Sequence, residues 1–218
     1  MATLFDGYNT TREAPRVRKG AAFDEMFAKL DKSSNPREPY KDLYNALAQM
    51  TQDELRGRTE ALASSYLAQG VTFDFAGEER PFPLDAVPRV IEADDWARVE
   101  AGVSQRVKVL EMLLADVYGP QNAVRDGVIP ASLISTSSHY HRQAAGIVSA
   151  NGVRIHVAGI DLIRDEHGGW RVLEDNVRVP SGVSYVISNR RVMAQTLPEL
   201  FVEMSVRPVG DYPYKLLQ

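Results

Sequence analysis

The sequence predicts an α/β (α+β) fold in which a mixed or antiparallel sheet is flanked by helices. Two patterns carry this prediction. Residues 92–119 repeat apolar side chains at helical spacing, which predicts one long amphipathic helix. Residues 153–177 contain two strand-like runs around the polar turn RDEHGG, which is typical of a β-hairpin. We expect the hairpin to lie inside a larger sheet, with the long helix packed against it.

Length and composition limit the possible classes of protein. The 218 residues allow one large domain or two small ones, with enough chain to bury a hydrophobic core. The net charge of −4 provides no basic field for nucleic acid or anionic lipid. The absence of cysteine excludes disulfides and thiolate metal sites and suits a reducing cytoplasm. With neither a membrane-length apolar run nor a secretory signal, we expect a cytoplasmic protein that binds no nucleic acid and no membrane.

The first two predicted segments precede the hairpin. Residues 1–35 are polar and irregular and are interpreted as an N-terminal arm, and residues 36–152 as a mainly helical region. A short helix follows Pro36, and a second begins at Thr51, where Glu54 completes a capping box. Gly70 is a suitable residue to end this second helix.

The elements that follow have recognisable boundaries in the sequence. Residues 71–75 alternate as a strand does, and the proline-rich stretch 77–89 predicts a loop. A short helix is expected at 121–126, a strand or loop at 128–137, and helix at 186–205. The long helix has one apolar stripe, made of Trp96, Val99, Val103, Val107, Leu110, Leu114 and Val117. Asp94-Asp95 is interpreted as its N-cap, Trp96 as core, and Arg106 as a solvated side chain on its polar edge.

The hairpin, in the third segment 153–218, carries the candidate chemistry. A turn centred between His167 and Gly168 places Asp161 opposite Glu174, and strand alternation puts Asn176 on the same face as Glu174. Facing carboxylates repel each other unless a cation lies between them, and hard oxygen donors suit Mg²⁺ or Mn²⁺ bound together with nucleotide phosphates. The alternative is an acidic hairpin on a solvated face. A register slip of one residue would turn Asp161 away.

The residues after the hairpin suit an anion. Arg178 is a strong partner for phosphate or carboxylate. Ser181 and Gly182 can offer a hydroxyl and exposed backbone N–H groups. A pair of histidines, His139 and His141, could act as ligands or acid–base groups, but a structural role is the simpler interpretation.

These residues also carry a family resemblance. Glu174-Asp175-Asn176 matches the E-x-N metal-ligand motif of ATP-grasp enzymes, with Asp161 on the preceding strand. The string VLEDNVRVPSGVSYVISNRRVM (172–193) resembles the circularly permuted ATP-grasp family, relatives of the glutathionylspermidine synthetase domain. PFPLDAVPRVI (81–91), HVAGIDLIRD (156–165) and the QRV of the long helix are similar to that family as well. The similarity extends over roughly residues 35–213.

The resemblance implies part of a circularly permuted ATP-grasp fold. It implies an ATP-dependent ligase that forms a peptide-type bond between a carboxylate and an amine through an acyl phosphate. The cofactors would be ATP and Mg²⁺, with Mn²⁺ possible, and the partners a nucleotide and small-molecule or peptide carboxylate and amine substrates. By position, Asp161, Glu174 and Asn176 would hold the metal. Arg178 and Ser181 would be catalytic beside the phosphates, and with Gly182 would bind the nucleotide.

The resemblance also implies an incomplete site. In the permuted order, the lysines that hold ATP follow the metal-ligand segment, and no lysine here matches them. We therefore expect the N-terminal part of such a ligase, which alone would neither hydrolyse ATP nor bind it tightly. Self-association, or a partner chain, would cover apolar surface near 183–217. A non-catalytic binding or scaffold module derived from the same fold is the main alternative, and a metal-dependent hydrolase using Asp161 and Glu174 is the weakest.

Overall fold

The computed structural model describes residues 4–5, 23–27, 35–180 and 182–218. These residues combine helices with small antiparallel sheets, as the predicted fold class requires. The chain divides into two compact units. The first contains the described residues of Met1–Glu92, Arg164–Gly169 and Ser181–Gln218, and the second contains Ala93–Ile163 and Trp170–Pro180.

Helices dominate the described chain. In order they are α1 (Lys41–Ala48), α2 (Gln52–Ala68), α3 (Ala93–Val117), α4 (Asn122–Arg125), α5 (Ala131–Ser135), α6 (Val183–Thr196), α7 (Pro198–Glu203) and α8 (Tyr212–Leu216). Single 3₁₀ turns lie at Glu38–Tyr40, Arg142–Ala144 and Ala150–Gly152. None of the helices in the described ranges combines the length and apolarity that a bilayer crossing demands.

The strands form two separate hairpins. They are β1 (Thr72–Phe75) with β2 (Glu78–Pro81), and β3 (Gly159–Arg164) with β4 (Trp170–Asn176). Each hairpin is a two-stranded sheet in the described part of the chain, so the expectation of one larger sheet around β3 and β4 is wrong there. The strand or loop expected at 128–137 is also wrong, because α5 occupies Ala131–Ser135.

Local signals set the ends of α2. The Glu54 N–H donates to Thr51 Oγ1 at 3.2 Å, and the Thr51 N–H donates to Glu54 Oε2 at 2.7 Å. This confirms the predicted capping box. Past the last turn, Gly70 adopts a left-handed φ of +65°, a conformation that costs glycine little.

The core of the first unit is built by α1, α2, α6 and α7. Its buried side chains are Tyr40, Leu43, Leu47, Met50, Leu62, Tyr66, Val192, Met193, Leu197 and Leu200. Tyr66 is fully buried, and its hydroxyl donates to Asn189 Oδ1 at 2.6 Å, which satisfies the polar atom that burial would otherwise penalise. Described residues of the predicted arm also pack here: Phe27 is buried, and Phe5 stacks on Tyr44 with ring centroids 4.7 Å apart.

The β1–β2 hairpin replaces part of the predicted loop. Its antiparallel pairing places Phe75 opposite Glu78 around a two-residue turn, Ala76-Gly77. Both turn residues have positive φ, +57° and +87°, as a type I′ turn requires. The prediction missed β2 because the strand Glu-Glu-Arg-Pro is almost wholly exposed and lacks apolar alternation.

In the second unit, α3 presents its predicted stripe to the interior. Val99 is buried, and Val103, Val107, Leu110, Leu114 and Val117 are each half-buried. Trp96 is 40% exposed, so its assignment to the core is wrong. At the other end of α3, the Asp116 carboxylate accepts hydrogen bonds from the N–H groups of Asn122 and Ala123, which fixes the start of α4.

Candidate metal-binding face of the hairpin

The turn between β3 and β4 is one residue tighter than the predicted turn. The Asp165 N–H donates to the Gly169 carbonyl at 2.9 Å, and the Gly168 N–H donates to the Asp165 carbonyl at 2.9 Å. Gly168 has a left-handed φ of +82°. This is a three-residue loop with a glycine bulge, so Asp165 lies opposite Gly169 and not opposite Trp170.

At the end of the hairpin away from the turn, the strands are paired one residue differently from the pairing at the turn. A Cβ added at Gly159 would lie 3.7 Å from Asn176 Cβ, and from this distance we infer that the two residues pair across the hairpin. Half-buried and exposed residues alternate along β4 until Leu173 and Glu174, which are both exposed. A one-residue change of register and two consecutive outward side chains are the features of a β-bulge. We infer a bulge at Leu173-Glu174.

The bulge determines where the predicted ligands lie. Asp161 is exposed in β3 between half-buried Ile160 and Leu162. If Gly159 pairs with Asn176, strand alternation places Asp161 opposite Glu174, and both of these carboxylates are exposed. Asn176 ends β4 and is half-buried, and strand alternation places it on the same side as Glu174. We call the side chains of Asp161, Glu174 and Asn176 the acidic face.

Asp175 points to the opposite face and pairs with Arg106 of α3. Arg106 Nε donates to Asp175 Oδ1, and Arg106 Nη2 donates to Asp175 Oδ2, both at 2.6 Å. The Arg106 hydrogen bonds hold the pKa of Asp175 below its usual range, and the same bonds raise the pKa of Arg106. Arg106 is exposed, as the sequence predicted, but its pairing with Asp175 was not foreseen. Strand alternation was the available signal, because it turns the middle residue of Glu-Asp-Asn inward, where a carboxylate needs a cation.

The carboxylate of Glu111, also in α3, holds the chain just before β3. Glu111 accepts hydrogen bonds from the Ile155 N–H at 2.8 Å and from the Arg154 N–H at 3.0 Å. Burial opposes ionisation of Glu111, but these N–H bonds outweigh it and keep its pKa below the usual range. The helix α3 thus contacts the approach to β3 through Glu111 and the end of β4 through Arg106.

The remaining predicted residues lie outside this arrangement or beyond the described residues. Arg178 is exposed in a bend two residues after β4. Gly182, with a φ of +105°, precedes α6 in the first unit, and Ser181 lies outside the described residues. His139 and His141 are exposed. Across the described ranges, no three His, Asp or Glu side chains gather as they would in an all-protein metal cage.

The chemistry of the acidic face fits a hard divalent cation. Asp161 and Glu174 provide two anionic oxygen donors, and Asn176 adds a neutral one. Because both carboxylates are exposed, coordination positions remain open to water and to phosphate oxygens. Mg²⁺ is usually bound in this way, by one or two carboxylates together with substrate phosphates.

Comparison with known proteins gives related sequences of greater length. An uncharacterized protein of Mycobacterium leprae is 56% identical over 215 residues, which cover 99% of this chain and 37% of the relative. An uncharacterized protein of Synechocystis is 41% identical over 203 residues, covering 91% of this chain and 42% of the relative. The Frankia alni protein named "Putative glutamate--cysteine ligase 2-3" is 38% identical over 195 residues, 88% of this chain and 22% of the relative. The chain spans less than half the length of each of these three relatives.

A family model gives the assignment. The model described as "A circularly permuted ATPgrasp" matches residues 88–218, well over half of the chain. The match includes α3 and both strands of the hairpin. The chain therefore belongs to the circularly permuted ATP-grasp family, as the string around Glu174 predicted.

Proposed function

We propose that this chain supplies the magnesium-binding part of an ATP-dependent carboxylate–amine ligase that acts through an acyl phosphate. The observation that carries the proposal is the acidic face, which pairs two exposed carboxylates on a hairpin of an ATP-grasp protein. The Frankia alni relative supports the class of reaction, because its printed name is that of a ligase for glutamate and cysteine.

The acidic face would hold the metal. Asp161 and Glu174 bring two negative charges, which one divalent cation balances, while Asn176 adds a neutral oxygen. Bound Mg²⁺ would offset the charge of the ATP phosphates and orient them for transfer. Mn²⁺, which takes the same hard oxygen donors, is the natural probe for this site.

The reaction itself needs no covalent bond to the protein. A carboxylate oxygen attacks the γ-phosphorus of ATP and ADP leaves, and the amine then attacks the acyl carbon and phosphate leaves. The contribution of the protein is to position and stabilise these charged groups. Arg178 would bind a phosphate or carboxylate through its forked guanidinium. Ser181 and Gly182 stay predicted nucleotide-binding residues, through a hydroxyl and backbone N–H groups.

The test is Mn²⁺ titration of the ¹⁵N-labelled chain, with paramagnetic broadening of the amide signals as the readout. We expect broadening centred on the β3 and β4 residues around Asp161 and Glu174. The substitution Glu174→Gln keeps the size of the side chain, removes one charged ligand and should weaken Mn²⁺ binding at least about tenfold, by analogy with losses at metal sites. Glu166→Gln is the matched control, because Glu166 is a half-exposed carboxylate on the turn of the same hairpin.

Two outcomes would contradict the proposal. Broadening centred away from β3 and β4, or equal Mn²⁺ affinity in the Glu174→Gln and Glu166→Gln chains, would remove the metal from the acidic face. An assay of ADP release with glutamate and cysteine as the first substrate pair then separates a ligase from a binding module. In a longer chain that also carries the ATP-holding lysines, a ligase sustains ADP release only when both substrates are present, and the Glu174→Gln change abolishes that release.

A further inference from the structure

We propose that Arg106 is a positioning residue for the metal ligands, since it fixes the rotation of the end of β4 that directs Glu174 and Asn176 outward. The inference rests on the proposed function. It assigns a role to a residue of α3 that is 69 positions away from its partner in the sequence.

The geometry of the Arg106–Asp175 pair is what gives it this role. Two hydrogen bonds of 2.6 Å join the guanidinium fork to both carboxylate oxygens, so they constrain the plane of the carboxylate as well as its position. Asp175 lies between Glu174 and Asn176, and neighbouring side chains of a strand point to opposite faces. Holding Asp175 on the inner face therefore holds Glu174 and Asn176 on the outer one.

The same helix also holds the approach to β3. Glu111 lies five residues after Arg106 in α3 and receives the N–H groups of Arg154 and Ile155. A helix rises about 1.5 Å per residue, so these two anchors are separated by a fixed ~7.5 Å along one rigid element. The positions of β3, which carries Asp161, and of β4, which carries Glu174, are thus both set by contacts with the same helix.

The direction in which the metal affinity changes on loss of Arg106 distinguishes a positioning role from a purely electrostatic one. Loss of the Arg106 charge makes the surroundings of the acidic face more negative. By Coulomb's law with salt screening, a unit charge on the order of 8 Å away would change the affinity for a divalent ion about two- to fivefold, toward tighter binding. Loss of a residue that orients metal ligands weakens metal binding, typically by about ten- to a hundredfold. A positioning role therefore predicts a loss of affinity where charge alone predicts a gain.

The experiment is Mn²⁺ titration of the ¹⁵N-labelled chain and its variants. We expect Arg106→Gln to bind Mn²⁺ about tenfold more weakly and to broaden the amide signals of Glu174 and Asn176 before any metal is added. Arg106→Lys, which cannot form the fork, should be intermediate. The exchanged pair Arg106→Asp with Asp175→Arg should recover most of the affinity. Arg98→Gln is the control, because Arg98 is an exposed arginine of α3 that pairs with Asp95 within the helix.

Each result supports or overturns the inference. Equal or tighter Mn²⁺ binding by Arg106→Gln, while Glu174→Gln still weakens binding at least about tenfold, would overturn the role of Arg106 and leave the metal site in place. If neither change alters binding, the metal site itself is wrong. If Arg106→Gln does not fold, the exchanged pair decides: near-native affinity supports the inference, and a folded exchanged chain with affinity lowered tenfold or more overturns it.

Discussion

Substitution of Gly168, in the turn between β3 and β4, tests the structure through a loss of stability that can be worked out from one backbone angle and one contact distance. Gly168 has a φ of +82°, and a Cβ added there would lie 2.9 Å from both Cε2 and Cζ of Phe23. Alanine in a left-handed conformation costs about 1–2 kcal/mol. Overpacking against a ring that must move costs about 1–3 kcal/mol more. We expect Gly168→Ala to lower the free energy of unfolding by about 2–5 kcal/mol.

Gly77 provides a matched control for the backbone contribution. It also lies in a hairpin turn, with a φ of +87°, but a Cβ added there meets nothing within 4 Å. Gly77→Ala should therefore cost only about 1–2 kcal/mol, the conformational part. Urea unfolding followed by circular dichroism measures both changes. The difference between the two variants isolates the contact with Phe23.

A double-mutant cycle checks the assignment to Phe23. Combining Gly168→Ala with Phe23→Ala should cost about 1–3 kcal/mol less than the sum of the two single changes, because the smaller side chain leaves room for the new methyl group. Equal losses in Gly168→Ala and Gly77→Ala, together with additive behaviour in the cycle, would refute the close approach of the ring to the turn.

Two further predictions concern the first unit. Thr51→Ala removes the capping box and should lower the free energy of unfolding by about 1 kcal/mol. Thr59→Ala is its control: the Thr59 hydroxyl donates to the Leu55 carbonyl of the same helix, and its loss should change the free energy of unfolding by less than about 0.5 kcal/mol in thermal melting. Burial raises the pKa of Tyr40 to about 12 from 10.0. The folded state thus holds this proton more tightly, so its stabilisation is complete below pH 10 and is lost as the pH rises toward 12. Urea midpoints should fall across this window, and Tyr40→Phe should flatten that decline.

Signals within a few residues of each other were predictable from the sequence. The capping box of Thr51 and Glu54 was confirmed because its two hydrogen bonds close within one helical turn. The stripe of α3 was confirmed from Val99 to Val117 because helical periodicity places those side chains on one face whatever they pack against. The prediction that Trp96 belongs to the core was wrong, because at this end of the stripe the helical periodicity continues but the side chain is not covered.

Features that depend on distant residues or on weak turn signals were not predictable. The turn of β1 and β2 uses Ala76, a residue with no special tolerance for its φ of +57°, so the hairpin had no recognisable turn signal. The bulge that we infer in β4 leaves a pair of consecutive exposed residues as its trace. The pairing of Arg106 with Asp175 crosses 69 residues, and nothing in the local sequence of either one specifies the other.

The two one-residue effects in the hairpin offset each other, so the inferred pairing again places Asp161 opposite Glu174. The glycine loop at Gly168 shifts the register by one residue from the predicted turn, which by itself would turn Asp161 to the same side as Asp175. The inferred bulge at Leu173-Glu174 shifts the register back before Asp161 is reached. Asp175 is then left on the inner face, where Arg106 neutralises it, and the outer face keeps the two carboxylates that we propose as ligands of a single divalent cation. On the proposed function, the motif Glu-Asp-Asn is divided into two residues that bind metal and one that binds the helix, and we propose that this division requires Arg106 and the bulge together.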